Sequence, residues 1–350
     1  MEQRIIISDN LDEDLAVAIS ECEHDRVFVL TDSVTHEKCW PKICGFHSMR
    51  KAHVITIGDT DTHKTLDSLA QVWKELGDNG ATRHSCMVNL GGGMVTDLGG
   101  FAASTFKRGI DFINIPTTLL AMVDASVGGK TGINFNGLKN EVGVFNDSKY
   151  VLLNTAFLDT LDYDNLCSGF GEMLKHALIS DRRTWHDLLA FDLQNPDLSL
   201  LQKLVAQSVK VKERIVEQDP YEKNIRKALN LGHTVGHAFE SWALKKGHPV
   251  LHGYAVAYGL VCELYLSVVK TGLPTEVLRE AVNYVKAFYS HLSYTCDDYE
   301  AFFELMKHDK KNTADGGINF TLLDSIGGIK INQTASKEEI FEALDFYREN

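Results

Sequence analysis

The sequence predicts a two-domain α/β protein, with a parallel, doubly wound sheet first and a mainly α-helical domain after it. Three observations predict this. Strand-like and helix-like periodicity alternate through the first 153 residues, the pattern then turns helical from about Asn154, and 350 residues at 44% apolar content can bury more than one core. We therefore place the domains at 1–153 and 154–350, with the chemistry in the cleft between them because motifs fall in both halves.

Taken in order, Arg4 to Ser8 reads as a strand, Leu11 to Ser20 as a helix, and Arg26 to Thr31 and Ala52 to Ile57 as strands. A helix follows over Lys64 to Leu76, then a strand over Ser85 to Leu90. Such alternation requires crossover connections and hence a parallel sheet. Asp111 to Ile115 is a further short strand that ends at Pro116. The second half has helical periodicity over Leu200 to Glu217, Ile225 to Leu244, Gly253 to Lys270, Glu276 to Tyr289 and Tyr299 to Met306.

The net charge of -13 argues against a nucleic-acid or anionic-membrane surface, so any bound anion must be met by a local cation cluster. No leader-like apolar segment stands at the N-terminus, and no stretch reads as approaching the roughly 20 apolar residues of a membrane span, which predicts a cytosolic protein. Seven scattered cysteines without a C-x-x-C pair read as reduced thiols, each a small buried hydrophobe.

Three regions carry chemistry. The strand ending at Leu90 runs into Gly91-Gly92-Gly93-Met94-Val95-Thr96-Asp97 and a short helix. Successive glycines let a backbone approach a pyrophosphate at a helix N-terminus, although three glycines also serve as a plain tight turn. Asp32, at the end of its strand, has the position of an acid that binds an adenosine ribose, or of a helix N-cap.

In the second region Arg226, Asn230, His233, His237 and Glu240 follow one another at spacings of four, three, four and three. On one continuous helix they form a single polar face, beside an apolar face of Ile225, Leu229, Gly232, Gly236 and Phe239. Thr234 stands where a H-E-x-x-H metalloprotease has its general base, so that chemistry is excluded. Glu172, read as opening a helix one turn from Lys175, and His252, at the start of the next long helix, supply further donors. One carboxylate with two imidazoles is a common three-ligand set for catalytic zinc.

The third region runs from Pro116 through Thr117, Thr118 and Asp124 to Gly128-Gly129-Lys130-Thr131, and on to Lys139-Asn140. It fails the spacing of a triphosphate-binding loop because residue 124 is Asp where that motif needs Gly. A flexible, glycine-bounded segment with Asp, Lys and Asn suits a polyol.

These motifs, Gly91 to Asp97, Pro116 to Thr131, Lys139-Asn140, Gly169 to His176, Leu229 to Ala238 and Leu251-His252-Gly253, resemble those of the 3-dehydroquinate synthase family in order and interval, over roughly residues 26 to 328. The resemblance implies a Rossmann-like N-terminal domain, a homodimer, bound NAD and one divalent ion, zinc or cobalt. It implies Glu172, His233 and His252 as metal ligands. It assigns NAD to Asp32, Lys64, Gly92, Gly93, Asp97, Thr117, Thr118, Lys130 and Lys139. Substrate falls to Asp124, Lys130, Asn140, Lys175, Lys212, Arg226, Asn230, His237 and Lys310 or its neighbour Lys311, and Arg108 reaches the phosphate pocket of the other protomer.

The implied substrate is 3-deoxy-D-arabino-heptulosonate 7-phosphate, closed to 3-dehydroquinate with loss of phosphate by transient oxidation, elimination, re-reduction and aldol closure. Such an enzyme is a lyase of the shikimate pathway. Two departures stand out: Gly58-Asp-Thr-Asp61 replaces the usual Gly-Glu ahead of Lys64, and Tyr254 replaces the Glu after His252-Gly253. The competing readings are a sister sugar phosphate cyclase, a metal-dependent polyol dehydrogenase and a catalytically silent homologue.

Overall fold

A computed structural model describes residues 3–22, 24–307 and 317–350. The chain sorts into two compact units, one of residues 1–162 with 198–209, the other of 163–197 with 210–350.

The first unit is built on a six-stranded sheet of order β1-β8-β5-β4-β2-β3. Its strands are β1 (Arg4–Ile7), β2 (Val27–Asp32), β3 (His53–Ile57), β4 (Cys86–Gly91), β5 (Asp111–Pro116) and β8 (Tyr150–Leu153), and every pairing is parallel. β2 and β4 are buried along their whole length, as strands covered on both faces must be. The crossovers carry α1 (Leu11–Glu21), α2 (Ser33–Lys38), α3 (Trp40–Ile43), α4 (Leu66–Asp78) and α5 (Gly93–Thr105). Phe28, Leu30, Leu69, Val72, Met87, Leu98 and Phe112 form part of one core beneath α4 and α5.

The segment after Gly129, expected to be a flexible polyol loop, is instead an antiparallel hairpin of β6 (Lys130–Phe135) and β7 (Leu138–Phe145). Its Gly132 and Gly143 lie opposite each other, a pairing without side chains that hides the strand pattern in the sequence. The unit continues past Leu153 through the 3₁₀ stretch Thr155–Thr160, whose start is capped by the Asn154 side chain.

The second unit holds α6 (Tyr163–Leu178), α7 (Arg182–Leu189), α9 (His233–Lys245), α10 (His252–Thr271), α11 (Thr275–Phe288), α12 (Tyr299–Lys307) and α13 (Lys337–Glu349). A hairpin of β9 (Phe320–Ser325) and β10 (Gly328–Gln333) interrupts the expected run of helices. The long α8 (Leu198–Gln218) divides between the units after Val209. α10 is long and apolar enough to cross a membrane by length and composition, contrary to the sequence expectation. With 78% of that stretch buried, it is a core helix of the unit.

All seven cysteines are thiols; Cys44 and Cys296 are exposed, unlike the buried sites expected for every one.

Candidate active site

In the first unit Asp32, Gly92, Gly93, Thr117 and Thr118 lie at the carboxyl ends of the neighbouring strands β2, β4 and β5, the edge at which doubly wound sheets bind ligands, whereas Lys130 and Lys139 lie on the β6–β7 hairpin. Gly92 is the N-cap of α5, and no side chain caps that helix, so its first-turn N–H groups and positive dipole end remain available to an anion. A Cβ at Gly92 would stand 3.1 Å from Thr118 Cγ2, and one at Gly93 would stand 3.1 Å from Ala125 Cβ, so the glycines keep a cradle that larger residues would fill. Buried Thr117 donates its N–H to Gly91 O at 3.0 Å, tying the end of β5 to the end of β4. A dinucleotide fits these features.

Asp32 ends β2 and caps α2: Oδ1 accepts from Thr35 N at 2.7 Å and from Thr35 Oγ1 at 3.0 Å. The N-cap reading of this residue is thus the one seen, and it engages Oδ1. Lys64, 3% exposed, precedes α4 and donates to Asp97 Oδ2 at 2.5 Å and to Asn140 Oδ1. Asn140, expected at the substrate, thus shares a lysine with Asp97, expected at the cofactor. Lys139 lies 3.7 Å from Asp61, so the departure at Asp61 still leaves an acid beside the lysines. Asp124 sits in the π-helical turn Ala121–Ala125, Lys130 opens β6 in an exposed position, and Arg108 is exposed at φ 72°.

The second unit corrects two local expectations. Glu172 lies in the middle of α6 rather than at its start, and is fully buried. The helix expected over Ile225 to Leu244 is broken: a 3₁₀ stretch Ile225–Asn230 is followed by Leu231 in an extended conformation and Gly232 at φ 79°. His233 is therefore the first residue of α9. The turn needs Gly232, because any side chain there is strained and would meet Leu260 at 2.9 Å.

This break brings the donors together. Glu172 Oε1 lies 3.3 Å from His233 Nε2 and 3.2 Å from His252 Nε2. The oxygen is buried and makes no hydrogen bond, although two imidazole nitrogens surround it. Tetrahedral zinc with bonds of about 2.0–2.1 Å separates its ligand atoms by about 3.3 Å, which is the spacing of Glu172 Oε1 from each of the two imidazole nitrogens. The other ring nitrogens are also engaged: His233 Nδ1 donates to Leu231 O at 3.1 Å and His252 Nδ1 to Glu240 Oε2 at 3.1 Å. Each bond fixes the tautomer that leaves Nε2 facing the site. Glu240 was visible in the sequence as part of the polar face, but nothing in its spacing marked it as the partner of a histidine on another helix. The His237 ring stands 5.3 Å from that of His233 and 5.9 Å from that of His252, beside the three donors. A divalent ion fits this donor set.

Charge follows the same geometry. Burial opposes ionisation of Glu172, but Lys175, His233 and His252 outweigh it and hold the carboxyl well below the usual carboxylate range. Burial opposes charge on His252 as well, yet the neighbouring carboxylates of Glu172 and Glu240 push its pKa up to about 10.

The remaining cations are unusually dry: Lys175 is 1% exposed, Arg226 2% and Lys212 6%. Lys175 pairs with Glu172 Oε2, and Arg226 Nη1 donates to Pro220 O at 2.6 Å. Asn230 Nδ2 donates to Glu222 Oε1 at 2.8 Å. Tyr254, the departure after His252-Gly253, donates to Asp164 Oδ1 on α6 at 2.9 Å, and its burial pushes the phenol's pKa up, so it stays neutral. Lys310 and Lys311 lie outside the described residues.

Residues 54–168 match the family model for the N-terminal part of 3-dehydroquinate synthase, and residues 169–312 match that for the C-terminal part. A 3-dehydroquinate synthase of Parabacteroides distasonis is 53% identical over 349 residues, covering 100% of this chain and 99% of that one. The chain belongs to the 3-dehydroquinate synthase family. The family's fold extends to its structural neighbours. The 2-epi-5-epi-valiolone synthase ValA of Streptomyces hygroscopicus, solved with NAD+ and Zn2+, superposes with a TM-score of 0.85 at 24% identity, covering 100% of this chain and 97% of that one. A 2-deoxy-scyllo-inosose synthase, solved with carbaglucose-6-phosphate, NAD+ and Co2+, does so with a TM-score of 0.86 at 22% identity, covering 99% of this chain and 96% of that one. At these identities the likeness establishes the shared fold.

Proposed function

We propose that this chain is a cytosolic, homodimeric lyase that converts 3-deoxy-D-arabino-heptulosonate 7-phosphate to 3-dehydroquinate and phosphate. The observation that carries the reading is the buried Glu172 Oε1 with two imidazole nitrogens at 3.2–3.3 Å, in a chain of this family. When bound, NAD supplies a reversible hydride acceptor, and zinc or cobalt supplies a Lewis acid that acidifies neighbouring hydroxyls.

The protein's own residues do the rest. Glu172, His233 and His252 hold the ion, while Gly92, Gly93 and the start of α5 receive the pyrophosphate. Asp32 meets the ribose, Thr117, Thr118 and Lys139 flank the dinucleotide, and Lys64 keeps Asp97 and Asn140 in place. Lys130, Lys175, Lys212, Arg226 and His237 answer the phosphate and carboxylate of the substrate; in a protein of net charge -13 these anions must be met by local cations, of which Lys175, Lys212 and Arg226 are buried. Asp124, Asn140 and Asn230 orient hydroxyls, Lys310 adds a further cation, and Arg108 serves the other protomer. Cations held in place before the reaction stabilise oxyanions as they develop, without reorganising.

The test strips the metal, restores zinc or cobalt, and follows phosphate and 3-dehydroquinate together in the presence of NAD. Equal, metal-dependent release of both without NADH accumulation is expected. Accumulating NADH would make the protein a dehydrogenase, and turnover of sedoheptulose 7-phosphate or glucose 6-phosphate instead would make it a sister cyclase.

A further inference from the structure

Glu263 is a fully buried carboxylate in the middle of α10, and it is absent from every motif that marks the site. Its Oε2 accepts the N–H of Gly232 at 2.6 Å and its Oε1 the N–H of Val235 at 3.0 Å. These donors bracket His233, one residue before it and two after. A helix start is ordinarily capped by the side chain of its own N-cap residue, but Gly232 has none. The cap for α9 therefore comes from another helix, and that helix is the one that begins with His252.

We propose that Glu263 is a positioning residue for the metal site: by clamping the first turn of α9 onto α10, it fixes His233 relative to His252. Two features favour this over simple stabilisation. An uncompensated carboxylate is costly to bury, and this one is placed where two orphan N–H groups and the positive end of α9 offset that cost. The clamp also joins the two histidine-bearing helices themselves, so any slack in it moves one ligand against the other. The inference rests on Glu172, His233 and His252 being the metal ligands.

The test uses metal-stripped protein reloaded with Co2+, reading the visible d–d spectrum and the Co2+ and Zn2+ dissociation constants by chelator competition. Glu263→Gln keeps the shape but leaves one N–H without an acceptor. It is expected to weaken metal binding about 10–100-fold, the range for residues that orient a ligand, and to shift the Co2+ spectrum while NAD affinity stays at the parent value. Should that variant not fold, Glu263→Asp, with both oxygens one methylene short, carries the same expectation. Ser267→Ala removes the acceptor of the Leu323 N–H from the same helix, and should lower stability without moving the spectrum. Parent-like affinity and spectrum in the folded Glu263 variant would overturn the proposal, as would an equal spectral change in Ser267→Ala. If instead Glu172→Gln retains metal as the parent does, the ligand assignment itself has failed.

Discussion

At the scale of single residues, the two buried ion clusters behave differently from surface pairs because little water screens them. Lys64, with a side chain 4% exposed, is shared by Asp97 and Asn140. Replacing it with Met leaves Asp97 without its buried partner, so we expect a loss of about 3 kcal/mol in denaturant unfolding and NAD binding weakened at least tenfold; an unchanged midpoint would show that desolvation cancels the pair. Asp219 gives a pH prediction. Burial opposes its charge, but the N–H groups of Asn224, Lys223 and Arg226 outweigh this and hold its carboxyl below the usual range. A depressed folded pKa adds stability above the unfolded value of about 3.9, and that stability is lost as pH falls through the folded one. Asp219→Asn should therefore be less stable than the parent at pH 7, with the gap closing below about pH 4 in urea titrations.

At the scale of elements, the proposed metal ligands Glu172 and His252 are placed by how closely their helices approach. A Cβ on Gly253 would lie 1.7 Å from Ser168 O, and one on Gly171 would lie 2.3 Å from Gly253 O, so α6 and α10 touch backbone to backbone beside Glu172 and His252. Gly253→Ala must push them apart, and we expect a loss of about 3 kcal/mol together with loss of bound zinc, read by calorimetry and metal analysis. Retained zinc at parent stoichiometry would mean that the site tolerates the displacement.

The same scale shows where sequence reading stopped. Five of the six strands of the parallel sheet were legible from short apolar runs such as Val27 to Asp32, whereas β8, four buried residues next to the domain boundary, was too short to stand out. The break at Leu231-Gly232 was hidden because the three-four spacing of Arg226, Asn230, His233 and His237 satisfies an unbroken helix equally well. The β6–β7 hairpin was hidden by its glycines and by β7 being exposed along its length, which leaves no alternation to read.

At the scale of the whole molecule, the residues proposed for NAD lie in the first unit and those proposed for the metal in the second. NAD alone should slow hydrogen exchange in β4 and the first turn of α5, whereas zinc alone should slow it at the starts of α9 and α10, with the middle of α6. Each ligand stabilises what it binds by RT ln(1 + [L]/Kd), about 4 kcal/mol at a thousandfold excess over Kd. Protection by zinc spreading over the whole parallel sheet would mean that the two units open as one.

The sequence by itself determined the alternating parallel domain, the helical domain and the chemical identity of the donors, because periodicity and residue type are local properties. Only the tertiary structure decided that Glu172 sits mid-helix, that His233 begins a new helix, that Glu240 meets His252, and that Glu263 accepts the N–H groups of Gly232 and Val235. Those facts depend on contacts between α6, α9 and α10, and no spacing along one helix specifies which backbone N–H or imidazole a carboxylate on another will meet.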